Sequence, residues 1–164
     1  TAEIAIKAAQ TGHMVMSTLH TNSAAETLTR LRNMGVAAFN LATSVNLIIA
    51  QRLARRLCKC KQEVSVPDEV LLSEGFTKEQ LGTFKVYGPK GCDNCNGGYK
   101  GRVGIYEVVR VTPDLQRIIM ADGNAIDISE QMRKDGFNDL RASGLMKVIQ
   151  GVTSLEEVNR VTKD

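Results

Sequence analysis

All four cysteines of this sequence lie between residues 58 and 95, in two close pairs. Cys58 and Cys60 belong to LCKC, and Cys92 and Cys95 belong to CDNC. Two short loops of this kind each deliver two thiolates to one tetrahedral metal ion, while the residues between them form a small lobe. C-x-x-C is the usual spacing, whereas C-x-C is tighter and rarer. We predict a structural Zn²⁺ site, because four thiolate ligands leave no open position for chemistry.

Two disulfides or four unrelated thiols are the alternatives to a metal site. Disulfides are disfavoured because the sequence shows no signal-peptide pattern, and because 43% hydrophobic residues can build a core without covalent staples. No apolar run approaches the roughly 20 residues of a membrane span, so any membrane association is expected to be peripheral. A net charge of +3 and 4% aromatic residues also argue against nucleic acid as a partner.

The first 57 residues indicate an α/β fold. TAEIAIKAAQTG predicts a helix that stops at Gly12, and HMVMSTL predicts a buried strand. Ser23 and Glu26 form the capping box of a second helix, and residues 39–57 predict a longer one. A buried strand between helices usually belongs to a parallel sheet. We therefore expect the other strands upstream of Thr1, in a longer protein of which this chain is a piece.

The predicted strand carries His20 at its carboxyl end, with Thr18 and Thr21 beside it. Ligands of open α/β sheets bind beyond the carboxyl ends of strands, where an imidazole or hydroxyl can meet a phosphate oxygen or a positioned water. A structural hydrogen bond is the alternative role for this histidine. His13 lies at the other end of the strand, where the geometry is less favourable for a ligand contact.

The lobe between the cysteine pairs begins within a basic run. Its members are Arg52, Arg55, Arg56, Lys59 and Lys61. This run is interpreted as a solvated helix face, with a subunit interface, a contact near a nucleotide, or docking to an acidic partner or an anionic leaflet as the alternatives. Pro67 predicts the start of a short helix that ends near Gly75.

The region after Cys95 predicts one strand and four helices. Val103, Ile105 and Val108 mark the strand, which follows a glycine-rich turn. Thr112 and Pro113 then open a helix that runs through Met120. Ser154 and Glu157 predict a capping box for the last helix.

Three long motifs carry a family resemblance over nearly the whole chain. They are TAEIAIKAAQTGHMVMSTLHTNSAAETLTRLRNMG, AQRLARRLC and GCDNCNGGYKGRVGIYEVV. They resemble the secretion ATPases that drive type IV pilus assembly and type II secretion, and most of all the members that extend pili. The resemblance implies the C-terminal part of a RecA-like P-loop ATPase core in residues 1–56. It further implies a tetracysteine zinc lobe in residues 57–100 and a strand or hairpin with a helical region in residues 101–164.

The same resemblance assigns roles to residues of this chain. TGHMVMSTLHTN corresponds to the family's histidine box, which implies that His20 and His13 lie near the terminal phosphate of a nucleotide, with Thr18 and Thr21 as further nucleotide contacts. The full-length protein would use ATP and Mg²⁺ and form a homo-hexamer at the cytoplasmic face of a bacterial inner membrane. Its partners would be the inner-membrane pilus platform and accessory assembly proteins.

The sequence departs from the family at the phosphate-binding parts. It contains no G-x-x-x-x-G-K-[ST], and it begins after the position of the acidic Walker B residue. Phosphoryl transfer depends almost wholly on such positioning groups, so we predict that this chain alone neither binds ATP tightly nor hydrolyses it. Two other functions remain open, which are a type II secretion ATPase and a zinc-stabilised module without ATPase origin that binds protein or nucleic acid.

Overall fold

The computed structural model of the chain describes residues 1–163. These residues form, in order, α1 (Ala2–Gln10), α2 (Ala24–Asn33), α3 (Ala38–Ser44), β1 (Leu47–Leu57), β2 (Gln62–Glu63), α4 (Asp68–Glu74), β3 (Tyr87–Gly88), β4 (Tyr99–Arg110), α5 (Pro113–Met120), α6 (Ala125–Lys134), α7 (Leu140–Ile149) and α8 (Leu155–Thr162). β1 and β4 are neighbours in one two-stranded sheet, and β2 and β3 are neighbours in another. The chain is thus an α/β structure. Within residues 1–163, no helix has both the length and the hydrophobicity to span a bilayer.

The chain divides into two compact units. Unit 1 consists of Thr1–Ala50 and Glu107–Asp139, and unit 2 consists of Gln51–Tyr106 and the described residues from Leu140 onward. Both β1 and β4 contribute residues to each unit. The histidine segment, which we define as residues 13–21, belongs to unit 1, whereas all four cysteines belong to unit 2.

Unit 1 is built around one hydrophobic core, in which α3 packs against α5 and α2 packs against α6. Its buried residues are Ala24, Ala25, Leu28, Val36, Leu41, Ala42, Ile48, Val109, Leu115, Ile119, Ile128 and Met132. The Thr112 hydroxyl accepts a hydrogen bond from the amide of Leu115 and so caps α5. The predicted helix from Pro113 to Met120 is therefore confirmed.

The predicted long helix over residues 39–57 is wrong. Helix α3 ends at Ser44, and residues 47–57 form strand β1. Leu, Ala, Gln and Arg favour helices intrinsically, but pairing with β4 overrides that preference here. The burial pattern has the period of a strand, since Ile48 and Ala50 are buried while Leu47 and Ile49 are exposed. The arginines of the basic run consequently lie on a strand and not on a helix face.

The predicted buried strand over residues 13–19 is also wrong. These residues have no regular secondary structure, and the side chains of Met14 and Met16 are 90% and 88% exposed. A strand is stable only when a neighbour takes up its backbone N–H and C=O groups. No strand of residues 1–163 pairs with this segment. The apolar pattern therefore has no sheet to join in this structure.

Unit 2 combines the cysteine lobe with helices α7 and α8. The predicted helix between Pro67 and Gly75 is confirmed as α4, with Gly75 in the left-handed conformation that ends it. β2 and β3 pair antiparallel, with Gln62 opposite Gly88. The Lys61 ammonium donates a 2.6 Å hydrogen bond to the carbonyl oxygen of Gly151, which ties the lobe to the turn between α7 and α8.

Helices α7 and α8 approach each other closely at Gly144. A Cβ atom at this position would lie 2.8 Å from a methyl carbon of Val158, which is fully buried. Real Cβ contacts are longer than this, so glycine permits the packing distance of the two helices.

Candidate functional site

The four cysteine sulfurs of unit 2 converge on one point. All four lie within 4.8 Å of one another. The Sγ atoms of Cys58 and Cys92 are 3.8 Å apart, as are those of Cys60 and Cys95, and the Cys92 and Cys95 sulfurs are 3.5 Å apart. Thiolates about 2.3 Å from one tetrahedral ion lie about 3.8 Å from each other. The cluster therefore has the dimensions of a single tetrahedral metal site.

The distances between the sulfurs also favour a metal site over two disulfides. Bonded sulfurs lie about 2.05 Å apart, whereas the four cysteines are all free. The tight C-x-C spacing does not prevent convergence, because Cys58 faces Cys92 while Cys60 faces Cys95. Each sulfur of the first pair thus meets a sulfur of the second pair.

Backbone hydrogen bonds hold the cysteine loops in place. Cys58 directly follows β1, and its amide donates a 2.9 Å hydrogen bond to the carbonyl oxygen of Gly98. The amide of Cys92 donates to the Cys95 sulfur at 3.2 Å, a contact that stabilises a thiolate. Gly98 has a φ of +95°, and a Cβ there would lie 2.7 Å from the Cα of Pro89. Only glycine fits this position without moving the second cysteine loop.

The thiols have different affinities for protons. The backbone amide of Cys60, together with hydrogen bonds from the other thiols, lowers the pKa of Cys58 to about 7. The amide of Asn94 lowers the pKa of Cys92, but hydrogen bonds with Cys95, burial and the remaining thiols outweigh it and raise this pKa to about 11. The Cys58 thiol therefore loses its proton first, and the neighbouring thiols donate hydrogen bonds to its thiolate. A divalent cation would have to displace those protons to bind.

The histidine segment is anchored at its C-terminal end. The Arg30 guanidinium donates a hydrogen bond to the carbonyl oxygen of His20, and the hydroxyls of Thr21 and Thr27 are 2.7 Å apart. The imidazole of His20 is exposed and has no hydrogen-bond partner among residues 1–163. Thr18 is exposed as well. The backbone next to this imidazole is therefore fixed while the ring itself remains available.

His13 lies at the other end of the segment and contacts helix α1. Its Nδ1 atom is 3.2 Å from the hydroxyl of Thr11 and 3.2 Å from the carbonyl oxygen of Ala8. These contacts place the ring at the C-terminal end of α1, where the Ala8 carbonyl oxygen also accepts hydrogen bonds from the amides of Thr11 and His13. The structure therefore gives His13 a local hydrogen-bonding role and leaves His20 without one.

Two buried carboxylates make contacts that the sequence analysis did not predict. Glu107 of β4 accepts a 2.8 Å hydrogen bond from the amide of Ala24 at the first turn of α2. The alternation of buried and exposed side chains along β4 includes it, because Ile105, Glu107 and Val109 are all buried whereas Val108, which we named among the residues that mark this strand, is 47% exposed.

Glu157 is the second buried carboxylate, and only one of the two hydrogen bonds of its predicted capping box is present. The Ser154 hydroxyl accepts a hydrogen bond from the Glu157 amide and caps α8, as predicted. The Glu157 carboxylate does not complete the capping box, because it binds Arg55 and Arg160 instead. Sequence spacing cannot reveal this contact, since Arg55 and Glu157 are far apart along the chain.

Comparisons with known proteins agree on one family. The sequence model of the family described as "Type II/IV secretion system protein" matches residues 1–160. The chain is 78% identical to the type IV pilus assembly ATPase PilB of Pseudomonas aeruginosa, over 100% of this chain and 29% of that protein. It is 41% identical to the type II secretion system protein E of Aeromonas hydrophila, over 100% of this chain and 32% of that protein. The chain thus spans about a third of the length of these relatives.

A solved structure of similar fold is that of the pilus retraction motor PilT with bound ADP. The two superpose with a TM-score of 0.66 at 21% sequence identity, over 99% of this chain and 36% of the other. At this identity the likeness concerns the fold alone.

Proposed function

The chain belongs to the type II/IV secretion system protein family, and we propose that its full-length protein is an ATPase that powers type IV pilus assembly. The observation that carries this proposal is the 78% identity, over the whole chain, to a type IV pilus assembly ATPase. The alternative is a type II secretion ATPase, for which the identity to a named relative is 41%. Family membership argues against a zinc module of unrelated origin.

The histidine segment is the proposed nucleotide contact of this chain. We place His20 and His13 near the terminal phosphate of ATP, with Mg²⁺ bound by other parts of the full-length protein, and Thr18 and Thr21 as further contacts. The exposed imidazole of His20 next to a backbone fixed by Arg30 supports this role, because a ligand can reach the ring without breaking an existing contact. Residues 1–56 would then belong to a RecA-like core.

The cysteine cluster is the proposed site of a structural Zn²⁺ ion. The sulfur separations of 3.5 to 3.8 Å support tetrahedral binding by Cys58, Cys60, Cys92 and Cys95. Because the protein supplies all four ligands, the ion would order residues 57–100 and take no part in hydrolysis. Residues 101–164 would form the third, largely helical region.

The proposed working form is a homo-hexamer at the cytoplasmic face of the inner membrane. It would contact the pilus platform and accessory assembly proteins, reach the membrane through them, and bind no nucleic acid. The ATPase relatives and the pilus-assembly name of one of them support this proposal.

Complementation tests the pilus assignment. The full-length protein should restore surface pili, counted by electron microscopy, in a Pseudomonas aeruginosa strain that lacks its pilus assembly ATPase. It should not restore secretion in an Aeromonas hydrophila strain that lacks its type II secretion protein E. The reverse pattern would replace the proposal with the type II secretion ATPase.

The rate of ATP hydrolysis tests the role proposed for His20. In the full-length protein, His20→Ala should lower the rate of ATP hydrolysis about 10²-fold, the usual contribution of a side chain that moves or orients a proton. Lys78→Ala is the control, because Lys78 is exposed and has no partner among residues 1–163. The chain by itself should show no turnover above a blank, since its sequence contains no phosphate-binding loop.

A further inference from the structure

A cleft of about 440 Å³ opens in unit 2, and its lining includes neither a cysteine nor a residue of the histidine segment. It is lined by Leu53, Ala54, Arg55, Arg102 and Arg160. Three of the five lining residues are arginines, whose planar guanidinium groups match the oxygens of anions. The volume lies within the range of about 300 to 1,000 Å³ that is common for small-ligand pockets.

One buried carboxylate fixes two of these arginines. Glu157 is fully buried, and its Oε1 atom accepts hydrogen bonds from the Nε and Nη2 atoms of Arg55 at 2.9 and 2.7 Å. Arg160 donates from Nε to Oε1 and from Nη2 to Oε2, both at 2.9 Å. Within residues 1–163, the Nη1 atom of each arginine has no hydrogen-bond partner. Both guanidinium groups therefore retain donors, and their side chains are 49% and 54% exposed.

The surroundings hold Arg55 in one orientation. Its guanidinium carbon lies 4.2 Å from the ring centre of Tyr99. The Tyr99 hydroxyl is in turn 2.7 Å from the hydroxyl of Ser154, which also caps α8. The arginine is thus fixed by an aromatic face as well as by Glu157, so little side-chain freedom remains to be lost when an anion binds.

Arg102 adds a third positive charge to the lining of the cleft. It is exposed, and no residue among 1–163 forms a hydrogen bond or ion pair with it. Three arginines face one carboxylate, which leaves the cleft with an excess of two positive charges. An ion pair that only stabilised the fold would need neither the third arginine nor an open cleft.

We infer that this cleft binds a phosphate group through Arg55, Arg102 and Arg160. A phosphate dianion matches the excess charge of the cleft, and its oxygens can accept from three guanidinium groups that approach from different sides. A carboxylate has only two oxygens and a single charge. The phosphate is either free or nucleotide-borne, or it is the phosphomonoester headgroup of phosphatidic acid, since each of these presents a terminal phosphate group that can carry two negative charges.

Binding to the full chain can be followed by nuclear magnetic resonance of the arginine side chains. Inorganic phosphate is titrated at constant ionic strength, and vesicles that contain phosphatidic acid are compared with vesicles of phosphatidylcholine in a second arm. The Arg55, Arg102 and Arg160 signals should shift saturably in at least one arm, and the Arg55 and Arg160 signals follow binding in the Arg102 variant. Arg102→Gln should weaken that binding about tenfold, which corresponds to the loss of one charge-assisted contact.

Arg56→Gln is the matched control. Arg56 lies on β1 next to Arg55, carries the same charge, has no partner among residues 1–163 and does not line the cleft. It should leave the affinity unchanged, and both variants should unfold at the temperature of the parent chain. The arm in which Arg102→Gln alone weakens binding identifies the source of the phosphate. Equal effects of the two variants, or no saturable shift in either arm, would overturn the inference.

Discussion

The cysteine cluster and the histidine segment were both predicted as sites, yet the chain builds them to different degrees. Four sulfurs of the cluster meet within 4.8 Å, and backbone hydrogen bonds hold both of their loops. The histidine segment has no regular secondary structure, and the His20 ring makes no hydrogen bond within residues 1–163. The cluster draws all four of its sulfurs from unit 2, whereas no strand among residues 1–163 pairs with the segment for which we predicted a sheet.

Metal removal should produce the largest effect and tests the first half of this comparison. Structural zinc contributes about 10 kcal/mol of apparent binding free energy in small domains, so chelation should unfold the lobe between Cys58 and Cys95. Limited proteolysis with mass spectrometry should then find cleavage within residues 61–91. Helices α5 and α6 in unit 1 serve as the internal control and should keep their protection, and added zinc should restore the lobe. Unchanged protease resistance of the lobe would show that the cluster is not a folding metal site.

The second prediction concerns the carboxylate that secures unit 2. Burial opposes the charge of Glu157, but hydrogen bonds from Arg160 and Arg55 outweigh it and lower its pKa from 4.5 to about 2. Such a shift corresponds to about 3 kcal/mol of stability, which Glu157→Gln should remove at neutral pH. Urea unfolding followed by hydrogen exchange in α7 and α8 measures the loss.

The pH dependence of this loss has a definite sign. Because the folded-state pKa is lowered, the stabilisation is fully present above pH 4.5 and disappears as the pH falls through about 2. The difference between the parent chain and Glu157→Gln should therefore shrink across this acid range. A difference that stays constant down to pH 2 would mean that ionisation of Glu157 does not stabilise unit 2.

The features that the sequence predicted correctly depend on residues close in the chain. The N-cap hydrogen bonds of Ser23, Thr112 and Ser154 and the helix between Pro67 and Gly75 all follow from spacings of a few residues. Neither Glu26 nor Glu157 closes its predicted capping box, because the Glu26 carboxylate binds the Asn22 amide and Glu157 binds arginines. The two errors at residues 13–19 and 39–57 concern strands, whose stability depends on partners elsewhere in the sequence. The ion pairs of Glu157 join distant residues and leave no local pattern. The roles of His13, His20, Thr18 and Thr21 remain predictions.

The third prediction probes the support beneath the histidine segment. Glu107 accepts a hydrogen bond from the first turn of α2, the helix that follows the segment directly. Glu107→Gln keeps the shape of the side chain but replaces a charge-assisted hydrogen bond with a neutral one, so we expect a loss of about 1 to 2 kcal/mol. Amide exchange in α2 should accelerate accordingly. Glu130→Gln on α6 is the matched control, because Glu130 has no hydrogen-bond partner among residues 1–163.

The smallest effect is expected at His20. A substitution at this residue is the most direct test of the comparison between the cysteine cluster and the histidine segment. Its ring is solvent-exposed and makes no hydrogen bond within residues 1–163, so His20→Ala should change the free energy of unfolding of the chain by less than about 0.5 kcal/mol. His13→Ala is the matched variant and should cost about 0.5 to 1 kcal/mol, because it removes contacts with Thr11 and Ala8. If His20→Ala cost more than His13→Ala, the His20 ring would be a structural group, and the loss of turnover proposed for that variant would no longer indicate contact with a nucleotide.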